Sequence, residues 1–205
     1  MSLAARLWAA NADLAAAALE HPFVQGLGNG TLPRQAFSTY VGQDALFLEC
    51  FARAYALALV RAPDRETLEV FADLVTGVRE ELRLHASYAR EWGADRPVAP
   101  LPATSAYTDF LLATATLGDV GQVCAAMTPC MRLYAHLGLR LAATGTGGPY
   151  SAWVRTYADE AFADLARSLE AQLDRHASDD PSTAATYRRA MELELAFFDA
   201  AIDPR

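Results

Sequence analysis

Apolar residues recur every three or four positions along most of the chain, and that spacing predicts helices almost throughout. Leu3, Leu7, Leu14 and Ala18 mark one face of a first helix, from about Ser2 to Glu20, which His21-Pro22 stops. Gly26 to Thr31 holds three glycines and reads as a helix–helix connection. Pro33 opens a second helix to about Arg61, with Phe37, Tyr40, Asp44, Phe47, Phe51 and Tyr55 at helical spacing. Pro63 and Asp64 start a third, running to Trp92 and closed by Gly93. Arg96 to Pro102, with three prolines, reads as an extended loop. A fourth helix, capped by Thr104 or Ser105, ends at Gly118, and a fifth, capped by Asp119, reaches about Ala143. Thr144 to Pro149 is a loop, Tyr150 to His176 a sixth helix, and Asp180-Pro181 opens a seventh through about Ile202. No segment alternates as a strand would, and runs of Val, Ile and Thr are nearly absent. The pattern predicts an all-α bundle whose short loops set neighbouring helices antiparallel.

Composition adds scale. At 205 residues and 53% hydrophobic, the chain is expected to form a single domain, residues 1–205, with a substantial core. The net charge of −8 disfavours nucleic acid and anionic membranes as partners. No apolar span approaches the length of a transmembrane helix, and no signal peptide is legible, so a cytoplasmic address is expected. Cys50, Cys124 and Cys130 are odd in number and lack CxxC spacing, which points to neither a disulfide framework nor a zinc site.

Three side chains break the helical pattern. Asp44 lies on the aromatic face of the second helix, sharing it with Tyr40, Phe47 and Phe51. A carboxylate buried there needs hydrogen-bond partners or a cationic ligand, whereas an exposed or capping aspartate needs neither. Cys130 follows Pro129, which interrupts the fifth helix; Tyr134 lies four residues on, over the same face. A free cysteine is most often a small core side chain, but a broken helix can aim one into a cavity. Glu194, between Leu193 and Leu195 and one turn before Phe197 and Phe198, is either solvated or a buried acid with a raised pKa. The histidines are His21, His85, His136 and His176. Only Glu81–His85 has helical ligand spacing, and it reads as an ordinary pair on a helix face; no metal centre is expected. Cys50 and Cys124 are assigned to packing.

These features recur in one family. The run His21 to Leu32 (HPFVQGLGNGTL), followed by Phe37, Tyr40 and Gln43-Asp44, resembles the opening signature of the TenA family (thiaminase II). Ala106-Tyr107-Thr108, then Pro129-Cys130 with Tyr134 and Gly138, then Trp153 with Tyr157 and Phe162, and last Glu194 with Phe197 are similar to later blocks in the same order. The resemblance implies a haem-oxygenase-like helical bundle that binds no haem, assembles as a homotetramer and needs no cofactor. It implies hydrolysis of 4-amino-5-aminomethyl-2-methylpyrimidine to hydroxymethylpyrimidine and ammonia in thiamin salvage, with cleavage of thiamin itself in many members. It makes Cys130 the nucleophile, Glu194 the acid/base and Asp44 the group holding the pyrimidine, with Tyr107, Tyr134, Tyr157 and Phe197 around the ring. Phe47 stands where many members have tyrosine, Phe198 where tryptophan is common, and Thr128 where leucine is common.

Such groups suit the reaction. An amine on a methylene beside an aromatic ring is displaced slowly. A thiolate adding to the electron-poor ring eases its expulsion, and water can then add to the methylene. Glu194 would protonate the amine and activate the water, and Tyr134 could donate to the thiolate. Two readings compete: a non-catalytic pyrimidine-binding or regulatory protein, and a haem-oxygenase-like oxidase. A purely structural bundle would leave the polar groups unexplained.

Overall fold

The computed structural model describes residues 1–92, 98–145 and 148–204, and every regular element among them is an α-helix. The expected stop at Gly93, and the Arg96 and Pro97 part of the linker, lie outside the described residues. The helices are α1 (Leu3–Ala10), α2 (Ala12–Glu20), α3 (Pro22–Asn29), α4 (Arg34–Val60), α5 (Arg65–Trp92), α6 (Pro102–Leu117), α7 (Val120–Ala142), α8 (Ser151–Ala158), α9 (Glu160–His176) and α10 (Pro181–Ile202).

Most helix ends follow local chemistry. The side chains of Asp119, Asp159 and Asp180 accept backbone N–H groups at the starts of α7, α9 and α10, satisfying donors that have no partner within the helix. Three expectations are corrected. The first helix is two, because Asn11 Nδ2 donates to the Leu7 carbonyl at 2.8 Å and the chain turns there. The glycine-bearing stretch after Pro22 is mostly helical: His21 Nδ1 accepts from Phe23 N at 3.1 Å, and Gly30, at φ +77°, closes α3 in the left-handed conformation that glycine adopts without strain. The sixth helix is also two, broken at Asp159. In addition α6 starts at Pro102, so Thr104 is inside it rather than capping it.

α7 is the hub. It packs on α8, α9 and α10, with α4 and α6 against it on other sides, while α4 pairs extensively with α5 and α6. α7 continues helical through Pro129, whose ring removes the N–H that the Ala125 carbonyl would otherwise accept. Gly138 lets α8 approach: a Cβ there would sit 2.3 Å from the Tyr157 carbonyl carbon. Tyr40, Tyr55, Tyr107, Phe23, Phe51 and Trp153 are all but completely enclosed. Burying a large apolar side chain is worth about 1.5–3 kcal/mol, so this aromatic centre dominates the stability of the bundle.

Candidate active site

The sequence places the expected site residues on five different helices, and the fold brings them together. Asp44, with Phe47, projects from α4, Tyr107 from α6, Cys130 and Tyr134 from α7, Tyr157 from α8, and Glu194 and Phe197 from α10. All eight are buried, Asp44 at 3%, Cys130 at 8% and Glu194 at 1% exposure. The structure thus decides for burial at Asp44 and Glu194, where the sequence left exposure open, while Cys130 is buried on either of its readings.

Cys130 and Glu194 form the core of the arrangement. The thiol donates a hydrogen bond to the Glu194 carboxyl, which also accepts from Tyr107 Oη at 2.7 Å. Burial raises the Glu194 pKa to about 7, the two hydrogen bonds only partly offsetting it. This matches the expectation drawn from its leucine neighbours. Burial also pushes the Cys130 thiol well above its ordinary value, reinforced by the negative charges of Glu194, Glu81 and Asp44. The chain has no lysine, and among the described residues no arginine stands with these groups. The thiol's hydrogen bond is to Glu194, and Tyr134 Oη lies 3.4 Å from Tyr40 Oη.

Asp44 lies 3.2 Å from His85 Nε2 and beside the Tyr40 hydroxyl. Burial raises Asp44 well above the usual carboxylate range, with Glu81 and Glu194 adding repulsion, and lowers His85 to about 4. Tyr40 Oη accepts from Trp153 Nε1 at 3.2 Å, which fixes the ring that lies against Asp44.

The walls are aromatic. The Phe47 ring lies 4.7 Å from Tyr107 and 5.8 Å from Phe197, and Tyr134 meets Tyr157 edge-on at 4.8 Å.

Glu81 and His85 are not the ordinary pair on a helix face that their spacing suggests: each reaches a partner on another helix. His85 is 2% exposed against Asp44, and the Glu81 carboxylate accepts from Tyr157 Oη at 2.6 Å. Burial raises the Glu81 pKa to about 7. The signal was available: Phe71, Leu74, Val78, Glu81 and His85 advance by three and four, so both polar residues continue the apolar stripe of α5. Among the described residues, no group of three or more His, Cys, Asp or Glu is arranged to hold a metal ion. No helix among them is long and apolar enough to cross a membrane.

Comparison with known proteins identifies this architecture. Residues 8–203 match the profile of the TENA/THI-4/PQQC family. The chain is 31% identical over 220 residues to an aminopyrimidine aminohydrolase of Halalkalibacterium halodurans, covering all of this chain and 97% of that one. It is 38% identical over 206 residues to a thiamine biosynthesis multifunctional protein, ThiED, of Corynebacterium efficiens; there it spans 95% of its own length but only 28% of the relative's. Among solved structures, a TenA family transcription regulator from Silicibacter sp. TM1040 superposes with a TM-score of 0.91 at 30% identity, covering 98% of this chain and 96% of that one. A Shewanella denitrificans domain with a haem oxygenase-like fold, 16% identical, superposes with a TM-score of 0.75 over 96% of this chain and 90% of that one, a likeness of fold alone.

Proposed function

The chain belongs to the TENA/THI-4/PQQC family, and from that premise we propose that it is an aminopyrimidine aminohydrolase of the thiaminase II type. Its substrate is 4-amino-5-aminomethyl-2-methylpyrimidine, or a relative with another amine on the same methylene, thiamin included. The observation that carries this reading is the Cys130–Glu194 hydrogen bond, buried among aromatic rings together with the carboxyl group of Asp44.

The chemistry follows from that bond. The thiol's high pKa makes a free thiolate rare, so Cys130 needs a base in contact, and Glu194 is that base. As Cys130 adds to a ring carbon, its proton passes to Glu194. The bond from the methylene to nitrogen then breaks, the electron pair leaves with the nitrogen, and Glu194 returns the proton to it. Water adds to the exposed methylene and gives a proton back to Glu194. Loss of Cys130 from the ring restores aromaticity and the thiol. The sum is one amine exchanged for one hydroxyl. Asp44 holds the amidine-like edge of the ring through a charge-assisted hydrogen bond.

Tyr107, Tyr134, Tyr157, Phe47 and Phe197 act as walls and hydrogen-bond partners. The same reading makes residues 1–205 one catalytic domain, working without a cofactor in a homotetramer in the cytoplasm, in salvage of degraded thiamin. Ammonia release tests the activity, measured with 4-amino-5-aminomethyl-2-methylpyrimidine and in parallel with thiamin by release of its thiazole. Turnover of either supports the assignment. Binding without turnover of any 5-substituted aminopyrimidine would leave a regulatory or carrier protein instead.

A further inference from the structure

The proposed chemistry leaves one half-buried acid and one buried hydroxyl of the same neighbourhood without a task. Glu81, on α5, gives its Oε1 to Tyr157 Oη at 2.6 Å. Tyr55, on α4, is fully buried, yet its hydroxyl has no hydrogen-bond partner among the described residues. Buried hydroxyls are nearly always paired, so an orphan of this kind calls for an explanation. Both residues line one cleft of about 520 Å³ between α5, α8 and α9, together with Met131, Arg155 and Phe162.

That cleft neighbours the residues proposed to hold the ring. Met131 follows Cys130 in α7, and Tyr157, which Glu81 holds, packs against Tyr134. The charge of Glu81 reaches Asp44 and Cys130 alike. Glu80, Glu81 and Asp159 outnumber Arg155 among the charged lining residues, so the cleft is acidic. Its volume far exceeds the roughly 30 Å³ that a water-sized molecule such as ammonia takes up.

We propose that this cleft is the subsite for the departing fragment, and that it selects a substituted, cationic nitrogen, an alkylammonium or heteroaromatic cation, through the Glu81 carboxylate and the Tyr55 hydroxyl. The inference rests on the aminopyrimidine reading above. A cation here offsets the mutual repulsion of the site's acids, which a neutral fragment leaves untouched. It also gives the Tyr55 oxygen a charge to face.

The test is calorimetric binding to Cys130→Ala protein, so that turnover does not interfere. Two probes share the 4-amino-2-methylpyrimidine ring: one carries a neutral 5-hydroxymethyl group, the other a 5-trimethylammoniomethyl group. Adding Glu81→Gln is expected to weaken the cationic probe about tenfold and to leave the neutral probe within about twofold. Adding Tyr55→Phe is expected to weaken the cationic probe by about threefold with the neutral one unmoved. Equal weakening of both probes would make Glu81 a framework residue acting through Tyr157 and would overturn the subsite, as would no change in either. Failure of both probes to bind when Glu81 and Tyr55 are intact is a different result: it removes the aminopyrimidine reading and this inference with it. Should Glu81→Gln fail to fold, the Tyr55→Phe comparison decides alone.

Discussion

At Cys130 and Glu194 one proton connects two groups that are each reluctant to be charged. Cys130→Ala is expected to reduce amine release by at least about a thousandfold with the fold intact, checked by ammonia assay and thermal melt. Near-normal turnover would end the nucleophile assignment. Glu194 must be ionised to accept the thiol proton, and its pKa is about 7. The kcat/KM profile should therefore rise with pH through that value. Glu194→Gln should lose activity together with that rising limb; a profile that keeps the inflection would assign it to another group. Phe47→Tyr adds a hydroxyl beside Tyr107 and Phe197. It should change the ratio of kcat/KM for aminopyrimidine and thiamin, and no change in either would separate Phe47 from substrate preference.

Among the elements, the joints carry the site. Gly138 on α7 admits the Tyr157 backbone of α8, and a methyl group there would run into the Tyr157–Ala158 peptide, 2.3 Å from its carbonyl carbon. Gly138→Ala should cost about 1–3 kcal/mol of stability, read from urea midpoints, and should reduce activity because Tyr157 must shift. The sequence made most helix termini legible through Asp caps and prolines, and it placed α4, α7 and α10 closely. It hid the turn at Asn11, where a side-chain amide replaces a backbone donor within an uninterrupted apolar spacing. It hid α3 as well, since Gly26 and Gly28 look like a loop until packing is seen: a Cβ on Gly28 would press on Leu141. The break at Asp159 was readable, as an aspartate followed by a glutamate at a helix start. For the site, Asp44, Cys130 and Glu194 stood out as polar residues within apolar stripes. Glu81 and His85 obeyed the same rule but were judged by metal-ligand spacing, which concealed their place in the core.

For the whole molecule, the buried acids and His85 pull stability in opposite directions with pH. Glu81 and Glu194 bind protons more tightly folded than unfolded, so between about pH 4.5 and 7 they lower stability as pH rises. His85, depressed to about 4, does the reverse between about pH 4 and 6.5. Above pH 6.5 only the acids still titrate, so thermal stability should fall from there toward pH 7.5. Glu81→Gln or Glu194→Gln should flatten that arm; an unchanged slope in both would refute the buried-acid account.

The enclosure of Cys130 has a consequence for chemical vulnerability. A thiol that keeps its proton and is shut away behind tyrosines is dormant toward electrophiles that do not fit the pocket. Cys50, half-buried on α4, is open to them. Iodoacetamide should therefore label the resting protein at Cys50 first, and occupancy of the pocket would decide when the inner sulfur wakes.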